Sequence, residues 1–130
     1  MAYQYDGYLS PEEYKALGGD VIPAEVLDRA LKMASRHIDA LTFNRIEKAG
    51  GIDMLTPFQR HLIKDAVREQ AEFEHENADL FTSPLSGYSI NGVSMNFATQ
   101  SDRIITTAGV TTTRDIYELV RQTGLTYRGI

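Results

Sequence analysis

Apolar residues recur with helical spacing in two long stretches of the chain. The longer runs from Thr56 to about Asp79. There Phe58, Leu62, Ala66, Gln70 and Phe73 return every three or four residues, and Ile63, Val67 and Ala71 widen the stripe. Arg60, Lys64, Asp65, Arg68, Glu69, Glu72, Glu74 and Glu76 fill the other side. This spacing predicts an amphipathic helix with one buried face. Its start is marked by Thr56, Pro57 and Gln59: a capping hydroxyl, a proline suited to the first helical position, and a side chain that can bond back to the cap. Such a helix is roughly 36 Å long at about 1.5 Å per residue, which makes it the spine of a small domain.

The second stretch opens at Pro23. Val26, Leu27, Ala30, Leu31, Ala34, Ile38 and Leu41 form its apolar side, and Glu25, Asp28, Arg29, Lys32, Arg36 and Asp39 its wet side. The pattern weakens near Leu41–Thr42, where Thr42 is placed to cap a separate turn carrying Arg45 and Ile46, and Gly50-Gly51 ends it. Two long helices with a short connection are expected to lie roughly antiparallel. Ser10-Pro11-Glu12-Glu13 is another capping box, predicting a short helix to Leu17 that stops at Gly18-Gly19. Before it, residues 1–9 form an arm. Its Tyr3, Tyr5 and Tyr8 suit packing on the domain's own core or on a partner.

After Leu80 the pattern changes. Residues 81–101 carry no charged side chain, and Asn91-Gly92 at their centre predicts a tight hairpin over 86–97. A two-residue turn sets Ile90 opposite Val93, Ser89 opposite Ser94 and Tyr88 opposite Met95, giving one apolar face and one serine face. A lone hairpin is marginal in water, so the apolar face needs a surface: the protein's own helices or another molecule. Residues 98–111 leave strand and helix open, with Ile104 and Ile105 fitting either. Thr112, with Asp115 three residues on, is predicted to start a last helix carrying Ile116, Tyr117, Leu119 and Val120. Gly124 ends it, and Leu125 lies where a residue after the glycine packs back. The expected fold is therefore mainly α: a small helical bundle of two long antiparallel helices plus shorter ones, with a β-hairpin.

Composition narrows the function. At 130 residues, with 42% apolar and 24% charged side chains, the chain fits one globular domain with a real core. A net charge of −5 disfavours general attraction to nucleic acid or anionic membrane. With no cysteine there is no disulfide, thiolate catalysis or cysteine-held metal. The first residues lack the pattern of a signal peptide, and no apolar run approaches the roughly 20 residues of a membrane span. His61 and Asp65 are one helical turn apart, as are His75 and Asp79, but each pair lacks further metal ligands and is more simply an ion pair on a helix surface. The glutamates from Glu69 to Glu76 form a solvated face without the apolar cleft that acid–base carboxylates use. No phosphate-cradling glycine loop and no nucleophile elbow occurs. Arg29, Lys32 and Arg36 share a helix face, yet Glu25, Asp28 and Asp39 interrupt it. No enzyme, cofactor or metal is expected, and binding or assembly remains by elimination.

Taken in order, several motifs resemble one family. They are the tyrosine-containing arm with its proline-started helix, the segment Ala34…Ile38-Asp39-Ala40-Leu41-Thr42-Phe43-Asn44-Arg45-Ile46, and the helix Phe58-Gln59…Ile63-Lys64-Asp65-Ala66…Glu69-Gln70-Ala71. The hairpin Tyr88-Ser89-Ile90-Asn91-Gly92-Val93-Ser94 and the ending Thr123-Gly124-Leu125-Thr126-Tyr127-Arg128-Gly129-Ile130 complete the set. Together they resemble the small head–tail connector (adaptor, or head-completion) proteins of long-tailed bacteriophages and prophages. Val67-Arg68 departs from the pattern, where a cysteine is often expected. The resemblance implies a mostly helical single domain that assembles into a ring, usually of twelve copies, beneath the portal protein. It implies that the ring extends the channel through which genomic DNA passes without specific binding, and that it offers a docking surface for the next neck (stopper or tail-completion) protein. The location implied is the virion neck, and the host bacterial cytoplasm during assembly. The C-terminal tail, residues 124–130, would engage the portal through Leu125, Tyr127, Arg128, Gly129 and Ile130. Tyr88, Ile90, Asn91, Gly92, Val93 and Met95 of the hairpin become candidates for a contact between neighbouring subunits. The competing expectation is a small helical regulatory or DNA-binding protein of a mobile element.

Overall fold

Both capping boxes form. Ser10 Oγ accepts from the Glu13 amide at 3.1 Å while the Glu13 carboxylate accepts from the Ser10 amide at 3.1 Å. Thr56 and Gln59 make the same reciprocal pair at 3.1 and 3.0 Å. Each box is followed by proline in the first turn, so the first orphan amides are satisfied or absent. These caps open two helices of a computed structural model that describes residues 5–77 and 104–126. The described elements are α1 (Pro11–Ala16), α2 (Ala24–Leu41), α3 (Arg45–Ala49), a 3-10 turn (Ile52–Met54), α4 (Pro57–Glu76), β1 (Ile104–Thr107), β2 (Val110–Thr113) and α5 (Arg114–Arg121). The fold is mainly α with one two-stranded antiparallel hairpin near the C-terminal end of the described residues.

The core is built from the apolar sides of α2, α4 and α5. Leu27, Leu31, Ala34, Ile38 and Leu41 meet Ile63, Ala66, Val67 and Ala71, with Ile116 and Val120 from α5 in the same cluster. Tyr8, Leu9, Tyr14 and Ile22 close it from the N-terminal side. Fully burying each large side chain contributes about 1.5–3 kcal/mol. Two residues of the expected stripes stay outside: Val26 is 44% exposed and Phe58 59% exposed. Both lie in the first turn of their helices, where the described neighbours leave them uncovered. Asp39, expected on the wet side of α2, is instead 5% exposed. Glu72 and Glu74, also expected in water, are half-buried partners of Tyr14 and His37.

The weak point after Leu41 is a sharp break. Phe43 and Asn44 take φ of +57° and +58°, a left-handed pair that no helix continues through. Thr42 does not start the next helix as expected. Its hydroxyl donates back to the Ile38 and Asp39 carbonyls and closes α2, while Asn44 occupies the cap position of α3.

The described hairpin pairs Ile104 with Thr113 and Thr107 with Val110 around Ala108-Gly109. Both turn residues have positive φ, +52° and +78°, the geometry whose twist matches flanking strands. Ile104 and Ile105, left open by the sequence, are strand. The hairpin expected over 86–97 lies outside the described residues. Thr112 is not the cap of the last helix but a fully buried strand residue, because the hairpin runs to Thr113. Thr113 is the cap, and its hydroxyl accepts from the Ile116 amide at 3.2 Å.

Gln70, in the centre of the α4 stripe, has no exposed surface. Its carbonyl oxygen accepts from the Thr112 hydroxyl at 2.6 Å, and its amide nitrogen donates to the Thr111 carbonyl at 3.1 Å and to Glu74 at 2.7 Å. Glu74 also takes His37 Nδ1 of α2. A satisfied buried amide thus joins the hairpin to α4, and Glu74 passes the link to α2. Replacing Gln70 by Leu should cost about 2 kcal/mol or more in urea unfolding, since it leaves the Thr112 hydroxyl and Thr111 carbonyl unpaired. Thr112→Val should cost about 1 kcal/mol, and the double variant clearly less than the sum. Additive costs would show that the bond is not shared.

Candidate functional site

Two places concentrate polar chemistry on the domain: the seat of the N-terminal arm and the departure point of the C-terminal tail. The arm runs beside α2. The Tyr8 amide donates to Ser35 Oγ at 3.0 Å, and the Ser35 hydroxyl donates to the Leu31 carbonyl at 2.8 Å. Tyr5 and Tyr8 both aim their hydroxyls at Asp39, at 2.7 and 2.5 Å, one on each carboxylate oxygen. The Tyr8 hydroxyl also lies 3.1 Å from Glu47 of α3. The rings meet edge to face at 6.0 Å, and the Arg36 guanidinium sits 4.2 Å from the Tyr5 ring centre. These two tyrosines therefore pack on the chain's own helix; Tyr3 lies outside the described residues. Burial pushes the Asp39 carboxyl above the ordinary aspartate range, outweighing the Tyr8 and Tyr5 hydroxyls and the Arg36 charge.

The tail is held at its root. α5 runs back along α4, from Thr112 beside Gln70 to Thr123 beside Gln59. Gln59 Nε2 donates to the Thr123 carbonyl at 3.0 Å, using the same side chain whose oxygen completes the Thr56 cap. The Thr123 hydroxyl donates to the Val120 carbonyl at 2.5 Å and accepts the Leu125 amide at 3.1 Å. Gly124 between them has φ +80°, a conformation that favours glycine. Arg45 Nη1 then donates to the Leu125 carbonyl at 2.8 Å, its guanidinium 5.1 Å from the Phe43 ring centre. The left-handed break at Phe43-Asn44 precedes the helix that carries this arginine. Leu125 itself is half-buried against the core. Arg45 and Gln59 form a clasp on the chain just before its last residues.

Of the sequence-derived tail residues, Leu125 is therefore a root and not a free tip; Tyr127, Arg128, Gly129 and Ile130 lie outside the described residues. Tyr88, Ile90, Asn91, Gly92, Val93 and Met95 do too. Sequence reasoning missed Arg45 and Gln59 as tail contacts. Gln59 was visible only as a cap, and nothing local marks Arg45, whose bond partner lies 80 residues on.

The other chemical candidates fall into ordinary pairs. His61 meets Asp65 at 3.4 Å, as expected for an exposed i,i+4 pair. Asp79, the expected partner of His75, lies outside the described residues. Lys32 pairs with Asp28 at 3.2 Å and Arg36 lies over the Tyr5 ring, so two of the three cations of this face are engaged within the chain. Burial pushes the Glu69 carboxyl up, and the nearby charges of Asp65, Asp115 and Glu72 add to that against the pull of Arg68. Among the described residues no group of three or more side chains is placed to hold a metal ion. No described helix is long and apolar enough to cross a membrane. No family model, curated protein or solved structure matches this chain.

The arm seat has a definite pH signature. Burial, and then Asp39, hold the Tyr5 and Tyr8 phenols above their ordinary value. The unfolded chain releases these protons near pH about 10, the ordinary tyrosine value. The folded protein retains them, so their contribution is complete below that pH and is lost as pH rises beyond it. Unfolding midpoints measured against pH should fall steeply on the alkaline side, and the Tyr5→Phe, Tyr8→Phe double variant should flatten that fall. An unchanged alkaline slope would mean that the phenols do not carry the arm.

Proposed function

We propose that this protein is a structural head–tail connector of a bacteriophage or prophage. It has no catalytic role, and it acts by offering its C-terminal tail to a portal protein. The observation that carries this reading is the clasp: Arg45 on the Leu125 carbonyl and Gln59 on the Thr123 carbonyl fix the root from which Thr126-Tyr127-Arg128-Gly129-Ile130 continue. A recognition segment that leaves a rigid body from a fixed point loses less freedom on binding than one on a loose linker. Tyr127 and Ile130 supply apolar anchors, and Arg128 supplies a fork for a carboxylate. The motif order that resembles connector proteins supports the same reading.

In this account twelve copies form a ring under the portal and the next neck protein docks on the far side. The net charge of −5 suits a channel that DNA slides through without being held. The regulatory, DNA-binding alternative draws less support, because Lys32 and Arg36 of its basic face are engaged within the chain.

Deleting Tyr127–Ile130 should leave the unfolding midpoint unchanged but abolish capture by the portal and completion of infectious particles. Arg45→Met should keep the fold and weaken portal capture by about fivefold or more, the scale of a lost hydrogen bond to a charged group. Infectious particles formed with the truncated chain would overturn the tail's role.

A further inference from the structure

The two edges of the hairpin differ. Its two-residue turn sets Thr107 opposite Val110 and Ile105 opposite Thr112. In such a hairpin these are the pairs that exchange backbone bonds, so Ile104, Thr106, Thr111 and Thr113 point their backbone groups off the sheet. The Thr111 carbonyl agrees with this alternation, since it meets the Gln70 amide of α4 at 3.1 Å. The β2 edge is thus taken up by α4. On the β1 edge the amides and carbonyls of Ile104 and Thr106 point outward, and none of the described residues bonds to them.

This edge is unguarded. Native edge strands are blunted by charge, by proline or by a bulge. β1 is Ile-Ile-Thr-Thr, four uncharged β-branched residues in unbroken register with β2. The open row is also self-complementary. A two-fold axis at Ile105 sets Ile104 of each copy opposite Thr106 of the other. Each of these two pairs exchanges two backbone bonds, so every outward group of Ile104 and Thr106 finds a partner. Ile105 then faces its own counterpart at the non-bonded position, where side chains come closest, and two half-buried isoleucines cover each other. No charge on the strand opposes the approach.

We infer that β1 pairs antiparallel with β1 of a second copy of this chain, joining two hairpins into one four-stranded sheet. Such a pair is isologous and closes as a dimer. It is a state of the free protein, distinct from a contact that propagates around a ring, and it does not rest on the connector reading. Two strands of four residues fall short of the roughly 1,200 Å² of a standard interface, so the dimer is weak and its share grows with concentration.

The test is sedimentation equilibrium of the intact chain over a range of concentrations, with amide hydrogen exchange on the same samples. A monomer–dimer equilibrium is expected. Exchange at Ile104 and Thr106 should slow with concentration, about twofold where half the chains are paired, while Ile105 and Thr107 do not respond. Thr106→Pro removes one outward donor and no bond to β2, a place where an edge strand accepts proline. It should leave the unfolding midpoint nearly unchanged and abolish the dimer. Thr106→Lys should do the same, by setting two ammonium groups on one short sheet. A monomer at every concentration, an assembly larger than a dimer, a dimer that survives both variants, or protection at Ile104 and Thr106 that is independent of concentration would each overturn the pairing.

Discussion

The amide of Gln70 is the interaction on which the placement of residues 104–126 depends. A buried amide left unpaired costs more than most single contacts return, so the surrounding backbone must arrange itself to meet it. Here the backbone that answers is β2, through Thr111 and Thr112. Fixing β2 fixes Thr113, whose hydroxyl caps α5, and α5 then has one direction to run, back along α4. At the other end, about three helical turns along α4, Gln59 receives the chain at Thr123. Two glutamines of one helix thus set both ends of the segment that leads to the tail. Arg45 adds the third point of attachment from α3.

The N-terminal end is held by a different device. One buried carboxylate, Asp39, gathers two phenol hydroxyls, and Arg36 covers the outer ring. Charge-assisted bonds of this kind contribute about 1.5–3 kcal/mol each, against the cost of taking the carboxylate out of water. The arm in turn covers the N-terminal side of the core through Tyr8 and Leu9. Both chain ends therefore approach the domain through polar anchors on α2, α3 and α4, and the apolar core between them serves as the rigid mount. In the connector account that division has a use: a stiff body carries recognition elements at defined points, and neighbours or partners bind those elements instead of the core.

Much of this was legible in the sequence wherever the cause is local. Ser10/Glu13 and Thr56/Gln59 are complete chemical statements within four residues, and both helices start where those residues say. Gly124 followed by a packed Leu125 is equally local. Asp39 was not legible, because a charge at helical spacing reads as solvent-facing until its tyrosine partners, more than thirty residues earlier, are brought to it. Thr42 looked like the start of a helix, but its hydroxyl found the carbonyls behind it first. The hairpin at Ala108-Gly109 lacks the asparagine or aspartate that announces such a turn, and threonines occupy both faces of its strands, so no alternation marks it. Its buried side is decided by Gln70, far away in sequence. The clasp was hidden for the same reason: Gln59 already had a local role, and Arg45 has none.

The central claim is that this domain is a mount for partner binding. Light scattering of the purified protein, alone and mixed with the portal protein of the same phage or prophage, tests it most directly. The account predicts a discrete high-order complex in fixed stoichiometry with the portal. A protein whose mass is unchanged by the portal, but which shifts on duplex DNA at low salt, would contradict it.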